Sequence, residues 1–257
     1  MNNIIFKYLY SFLSISCLLL LSLLFMAMDC DDGDDDGDES EQQKTSESDP
    51  YEIYYSEDFQ SYLDSNLKGG WEKDTLSGSA SIITTSNGID QVLELIVDNT
   101  TGAFSHVWLM QEEYDRMNEQ PFYFQADVKG SSGFLTISLY GTANNKLIEI
   151  NIPLNGMNIS ADENKDEIDC SESLEQDLWN TVNLYINPLA NEYNLSINSK
   201  GTFCNDLNFI VSSDNSKTMG VDYIRGFSFL ITPENYHGGE VNIDHIRLYR
   251  EIGEEIS

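Results

Sequence analysis

Basic residues are scarce in this sequence. Its 257 residues include 13 Lys and Arg against 44 Asp and Glu, which gives a formal net charge of −31 at pH 7. A surface of that charge repels phosphate backbones, so nucleic acid is a poor partner. Neutral glycans, cationic surfaces and Ca²⁺ remain compatible with it, and the charge also serves simply to keep a secreted protein in solution.

Several motifs that carry chemistry are missing. The three His and four Cys do not occur at zinc-ligand spacing, and there is neither a glycine-rich phosphate loop nor a Gly-x-Ser-x-Gly nucleophile elbow. Long helical periodicity is missing as well, and we predict one short helix, over Gln111–Asn118. These absences argue against a zinc enzyme, a nucleotide-binding P-loop protein and a helical bundle.

The first 28 residues have no acidic side chain and a single basic one, Lys7. From Ser11 to Met28 the sequence reads SFLSISCLLLLSLLFMAM, an apolar run about as long as a short membrane span. A basic start followed by an apolar run predicts a signal peptide or signal-anchor over residues 1–28. The rest of the chain is then expected outside the cytoplasm.

The apolar run ends next to Cys30. A Cys at this place resembles the cleavage site of bacterial lipoproteins, where the Cys is acylated, although Asp29 stands where that pattern has a small residue. Lipidation at Cys30, an uncleaved anchor and ordinary cleavage all remain open. We expect an outward-facing protein of the cell envelope that is held to the membrane by its N-terminus.

Residues 29–49 have no large apolar side chain and contain eleven acidic residues and one Lys. Such a segment cannot bury enough surface to fold, so we predict a disordered acidic tether. A β-sandwich domain over residues 50–250 and a C-terminal tail over residues 251–257 complete the predicted organisation.

Two cysteines lie in the predicted sandwich domain, Cys170 and Cys204. An extracellular compartment permits disulfides, so we predict a bond between them. Two unpaired thiols are the alternative.

From Tyr51 onward, short β-rich runs are separated by Gly, Asn, Asp and Ser. Regular spacing of such runs, with turn signals between them, predicts an all-β fold of two antiparallel sheets packed as a sandwich or jelly roll. The predicted strands are Ser79–Thr85, Val92–Asp98, Ala103–Met110, Phe122–Lys129, Phe134–Tyr140, Lys146–Ile152, Thr181–Asn187, Glu192–Asn198, Leu207–Val211, Tyr223–Ile231 and Glu240–Tyr249.

Three stretches resemble the concanavalin A-like lectin/glucanase superfamily, which includes laminin G-like modules. They are Glu57-Asp58-Phe59 with Gly70-Trp71, the hairpin from Leu178 to Asn198, and the closing strand from Val241 to Tyr249. The resemblance covers about residues 51–250 and implies a jelly roll. It says little about activity, because this fold carries lectins, enzymes and structural spacers.

The middle strands show one repeated arrangement. Because side chains alternate across a strand, five of them can turn aliphatic residues inward and leave a mixed aromatic and polar set outside. Sugars are recognised by flat aromatic rings together with amide and carboxylate groups, so we predict that this outer set forms one glycan-binding surface on one sheet. Packing of the rings as cross-strand pairs, or beneath loops, is the alternative. The predicted ligand-binding residues are His106, Trp108, Tyr123, Gln125, Asp127, Ser138, Tyr140, Asn151, Asn183 and Tyr185.

One acidic motif suggests catalysis. Glu167, Asp169 and Glu172 read E-I-D-x-x-E, which matches the catalytic signature of laminarinase-like glucanases in the same superfamily. There, one Glu is the nucleophile, the second is the acid/base, and the Asp between them tunes both, as retaining hydrolysis requires. A chance match within an acid-rich loop is the alternative.

A structural calcium ion is a further expectation from the resemblance. Jelly-roll carbohydrate modules often bind Ca²⁺ where the first and last strands meet, and Glu57, Asp58 and Asp244 resemble that arrangement. Carboxylate oxygens suit this hard cation, and solvated carboxylates without metal are the alternative.

We therefore predict a membrane-anchored, non-catalytic surface module that binds a glycan or a surface protein. A glycoside hydrolase that uses residues 167–172 and a structural or protein-adhesive domain are the alternatives.

Overall fold

The structure is a computed structural model that describes residues 51–85, 88–110, 120–141, 145–163, 166–199, 201–210, 224–234 and 237–252. All of them belong to the compact unit Ser48–Ser257. Cys30, the export segment, the tether, the tail beyond 252 and the predicted helix Gln111–Asn118 lie outside the described residues. No described segment forms a helix long and apolar enough to cross a membrane.

The regular elements of the described residues are β-strands. Their bounds are β1 Tyr51–Glu57, β2 Trp71–Leu76, β3 Gly78–Thr84, β4 Gln91–Val97, β5 Phe104–Met110, β6 Phe122–Ser132, β7 Phe134–Tyr140, β8 Lys146–Pro153, β9 Ser160–Glu163, β10 Asp166–Asp169, β11 Asn180–Asn187, β12 Glu192–Ile197, β13 Thr202–Asn208, β14 Gly226–Thr232 and β15 Gly239–Glu251.

The strands form two antiparallel sheets. The eight-stranded sheet has the order β13-β12-β11-β6-β15-β4-β3, with β1 also paired to β15, and the seven-stranded sheet has the order β10-β9-β8-β7-β14-β5-β2. The two sheets pack face to face around a shared apolar core, which confirms the predicted all-β sandwich of two antiparallel sheets.

Alternation along the strands builds this core. On β6, for example, Phe122 and Phe124 point inward and are buried, while their neighbour Tyr123 stays partly exposed. From the opposite sheet, Phe227 packs 5.5 Å from Phe124 between ring centroids and 5.6 Å from Trp71. The predicted inward-facing aliphatic residues are buried as expected.

The sequence prediction missed four strands, and the reasons are physical. β2 reads WEKDTL and buries only its first residue, Trp71, so it shows no alternation. β9 and β10 read SADE and DEID, a charged hairpin at the end of the seven-stranded sheet. The sequence prediction also missed β1. It placed the strand at β13 over residues 207–211, whereas β13 covers residues 202–208.

Both long sides of the sandwich are tied covalently. At one side, Ser77 alone connects β2 of the seven-stranded sheet to β3 of the eight-stranded sheet, with a left-handed φ of 52°. At the other side, Cys170 directly follows β10, and it is bonded to Cys204 of β13 with 5.3 Å between the Cα atoms. The predicted disulfide is confirmed, and it joins edge strands of different sheets.

Removing this disulfide is expected to destabilise the domain. The two cysteines are 34 residues apart in the sequence. Closing a loop of that size reduces the conformational entropy of the unfolded chain, which raises its free energy by about 3–4 kcal/mol. Cys170→Ser with Cys204→Ser should lower the free energy of unfolding in urea by that amount. Reduced wild-type protein should match the double variant, and an unchanged unfolding midpoint would show that the bond adds no stability.

Candidate functional site

The predicted single binding surface is wrong, because its strands belong to different sheets. β5, β7 and β8 lie in the seven-stranded sheet, whereas β6 and β11 lie in the eight-stranded sheet. The outer faces of the two sheets therefore lie on opposite sides of the core. His106, Trp108, Ser138, Tyr140 and Asn151 share one face, and Tyr123, Gln125, Asp127, Asn183 and Tyr185 share the other. We call these the Trp108 face and the Tyr123 face.

The Trp108 face is crossed by two continuous rows of side chains. Adjacent strands place these residues opposite one another, so each row runs perpendicular to the strands. One row is Glu72, Trp108, Ser228, Ser138 and Glu149. The other is Asp74, His106, Leu230, Thr136, Asn151, Ser160 and Asp169.

The rings of His106 and Trp108 form a cluster on β5, toward one side of the Trp108 face. The rings of His106 and Trp108, two residues apart on β5, lie 4.9 Å apart between centroids at a tilt of 38°. Burial lowers the pKa of His106, and the Asp74 carboxylate opposes that shift. The imidazole is therefore neutral at pH 7 and can both donate and accept a hydrogen bond.

The middle of the Trp108 face is a fixed polar network. The hydroxyls of Tyr140 and Ser228 lie 3.2 Å apart, and Ser138 donates to Glu149 over 3.2 Å. Lys146 forms an ion pair with the same Glu149 carboxylate. Side chains held in this way lose little further freedom when they bind a ligand.

Two cavities lie at the ends of the second row. The first, of about 720 Å³, is lined by Asp74, Phe104 and His106. The second, of about 610 Å³, is lined by residues that include Phe134 and Asn151. The Trp108 face is thus a surface with a concave site at each side and hydrogen-bonding groups between them.

The acidic residues of the motif at 167–172 do not share one strand. Glu167 and Asp169 lie on β10 and line the second cavity, but Glu172 comes after the end of that strand. Opposite Glu167 stands Asp162 of β9. Burial, and then the Glu167 carboxylate, raise the pKa of Asp162.

The Tyr123 face carries a row of tyrosines that pack on one another. Tyr123 stacks on Tyr249 at 5.1 Å and 13°, and contacts Tyr185 at 5.3 Å between centroids. Tyr249 in turn meets Tyr51 edge to face at 5.3 Å. The ring faces thus serve cross-strand packing between β1, β15, β6 and β11, which leaves them less suited to stacking on a sugar.

Among the other predicted residues of the Tyr123 face, Asp127 is held by local partners. Asp127 accepts hydrogen bonds from Thr181 over 2.6 Å and contacts His245 Nδ1 over 3.0 Å. Gln125 and Asn183 stand opposite each other on β6 and β11.

Sequence reasoning missed several residues of these surfaces. Ser228 and Leu230 could have been found from the alternation of GFSFLIT in β14, which leaves every second residue outside. Glu72 and Asp74 could not, because β2 shows no alternation. Tyr249 joins the tyrosine row only through the pairing of β15 with β6, which the sequence does not reveal.

The predicted calcium ligands do not form a cation cage. Both carboxylate oxygens of Glu57 already accept hydrogen bonds, from the Phe59 N–H over 2.8 Å and from the Tyr62 hydroxyl over 3.2 Å. Burial, assisted by Glu57, raises the pKa of Tyr62 to about 12. No group of three or more His, Cys, Asp or Glu side chains in the described ranges could hold a metal ion.

Asp58 and Asp244 are close enough to influence each other. Asp244 is buried, which raises its pKa, and the carboxylates of Asp127 and Asp58 raise it further. The backbone N–H of the next residue, His245, donates a hydrogen bond to the Asp244 carboxylate over 2.8 Å. The calcium site stays a prediction, and the donors that the structure brings together do not fit it well.

Comparison with known proteins gives the fold but no family. No protein-family model and no curated protein matches the sequence. Among solved structures, a sialidase superposes with a TM-score of 0.53 at 9% identity, over 70% of this chain and 17% of its own. The cellulose-induced protein Cip1 superposes with a TM-score of 0.52 at 13% identity, over 76% of this chain and 96% of its own. At such identities the likeness shows the fold alone.

Chelation of divalent cations is expected to leave the domain unchanged. Since Glu57 is already satisfied by its own loop, neither EDTA nor added Ca²⁺ should shift the melting temperature, and titration of Ca²⁺ should release no heat. A rise of several degrees with Ca²⁺ that Asp244→Asn abolishes would instead establish the predicted calcium site.

Proposed function

We propose that this domain is a non-catalytic carbohydrate-binding module that holds a glycan chain across its Trp108 face. The observation that carries the proposal is that Trp108, Tyr140 and Glu149 are partly exposed side by side on this face, where the buried hydroxyls of Ser228 and Ser138 hold the polar groups in place. Apolar ring faces and precisely placed polar groups are the combination that sugar recognition needs. The names of the sialidase and Cip1 are compatible with a carbohydrate-related role.

The shape of the face favours an extended chain over a single sugar. Seven strands about 4.8 Å apart make a surface about 29 Å wide. The two cavities flank the junction of the central strands β14 and β7, the first lined by Leu230 and Thr232 of β14 and the second by Phe134 of β7. A chain that lies perpendicular to the strands would reach both.

The charge of the face favours a neutral glycan. Carboxylates occur at Glu72, Asp74, Glu149, Asp162 and Glu167, whereas Lys146 is already paired with Glu149. Uronic acid or sulfate groups would meet repulsion from this set.

We also propose that the module works outside the cytoplasm and is held at a membrane by its N-terminus. The disulfide between Cys170 and Cys204 supports an oxidising compartment.

Loss of the indole should weaken glycan retention. Trp108→Ala removes the largest partly exposed ring of the face, and we expect about fivefold to tenfold weaker retention on neutral polysaccharides, because stacking on an aromatic ring contributes about 1 kcal/mol. Affinity electrophoresis against a panel of neutral polysaccharides measures the change, and the melting temperature should stay nearly constant.

Tyr185→Ala is the matched control, since it removes an aromatic ring from the Tyr123 face. It should leave retention intact. If Trp108→Ala binds as well as the wild type, or if Tyr185→Ala alone loses binding, the glycan does not lie on the Trp108 face.

A second candidate function, glycoside hydrolysis, is favoured by one observation. Asp162 and Glu167 stand opposite each other on β9 and β10, and the Glu167 carboxylate is close enough to raise the pKa of Asp162. Retaining glycosidases hold their two carboxyl groups about 5–5.5 Å apart. The raised pKa of Asp162 suits the acid, and Glu167 would then be the nucleophile.

Incubation with mixed β-glucans distinguishes this candidate from simple binding. Under the binding proposal no reducing ends are released. Release that disappears in both Glu167→Gln and Asp162→Asn would establish hydrolysis by this pair, whereas release that disappears in Glu167→Gln and Glu172→Gln would support the motif at residues 167–172.

A further inference from the structure

A separate cavity of about 740 Å³ opens on the outer side of the eight-stranded sheet, away from the Trp108 face. It lies at the end of the sheet opposite the tyrosine row, where β15 crosses between β4 and β6. Its walls include the indole of Trp179, the aliphatic side chains of Ile83 and Val92, and several charged groups. We call it the Trp179 cavity.

Trp179 is presented to this cavity by a rigid support. The adjoining Asn180 is fully buried, and its amide group donates to the carbonyls of Glu175 and Leu178 over 2.9 and 2.8 Å. Its carbonyl oxygen accepts from the Glu175 N–H and from the Asn198 amide, both over 3.0 Å. The loop before β11 is thus fixed, although the Trp179 side chain remains 43% exposed.

The floor of the cavity is fixed as well. His245 has a left-handed φ of 45° at an irregularity in the pairing of β15 with β6, and strain of this kind is retained where surrounding structure holds a side chain in place. Here the imidazole contacts Asp127 over 3.0 Å, and the Asp127 carboxylate also accepts from Thr181.

Carboxylates outnumber ammonium groups among the residues that line this cavity. Asp90, Asp127 and Asp244 line it with carboxylates, against the single ammonium group of Lys129.

We propose that the Trp179 cavity binds ligands through a primary ammonium group. The indole attracts a cation against its ring face, and the carboxylates that line the cavity accept the N–H groups of the ammonium. The inference does not depend on glycan binding at the Trp108 face, because the two surfaces share no residue. An amino sugar and a lysine side chain offer the same chemistry.

Two pairs of small probes test the proposal by titration calorimetry on the full-length protein in detergent, with 150 mM salt and EDTA. Glucosamine is compared with N-acetylglucosamine, and Nα-acetyl-lysine methylamide with its Nε-acetylated form. In at least one pair the charged member should bind about tenfold more tightly than the acetylated one. The pair with the stronger preference identifies the source of the ammonium group.

Variants assign the binding to this cavity rather than to the general negative charge. Trp179→Ala should weaken the charged probe about fivefold, which corresponds to a typical cation–π contribution. Lys129→Met removes a repulsive charge and should strengthen binding about threefold. The control Asp74→Asn removes one carboxylate from the Trp108 face, so it reports whether a charged probe also binds there, and it should leave the affinity at the Trp179 cavity within twofold.

Equal binding of charged and acetylated probes in both pairs would overturn the proposal. So would Lys129→Met weakening the charged probe, or Asp74→Asn having the same effect as Trp179→Ala. Because Lys129→Met is expected to increase affinity, a gain of binding cannot be mistaken for damage to the fold.

Discussion

The packing of phenylalanine rings between the two sheets is the contact on which the rest of the structure depends. Phe124 from the eight-stranded sheet meets Phe227 from the seven-stranded sheet, and Trp71 closes the group from β2. Burial of rings of this size contributes several kcal/mol for each side chain. Because these residues must point inward, their neighbours along each strand must point outward, and that alternation populates both outer faces.

The same constraint gives the molecule two surfaces of different character. On the Tyr123 face the tyrosine rings pack on one another, and this packing stabilises the four paired strands that carry them. On the Trp108 face the strongest ring contact is between Trp108 and His106, and the other outward groups are hydroxyls, amides and carboxylates. One surface therefore stabilises the sheet beneath it, while the other is supplied with groups that can face a ligand.

The sequence predicted the local pattern well and the long-range pairing poorly. Strands with a strict alternation, such as β7 with Leu135, Ile137 and Leu139 inside, could be assigned with the correct face. What could not be read was which sheet each strand joins, since β6 pairs with β15, more than a hundred residues away. That is why residues of both faces were expected on one surface. Short polar strands such as β2 and β10 escaped for another reason, because they bury too little to leave a pattern.

The connections at the two sides of the sandwich have a consequence for association between molecules. Edge strands carry unpaired backbone groups that can recruit strands from other chains. Here β2 and β3 are successive in the chain at one side, and the cystine links β13 to the residue after β10 at the other. An edge strand that is fastened to the opposite sheet cannot peel away to exchange with another copy. The disulfide thus protects the folded domain from strand swapping, whereas chains that have not yet formed the bond are open to it.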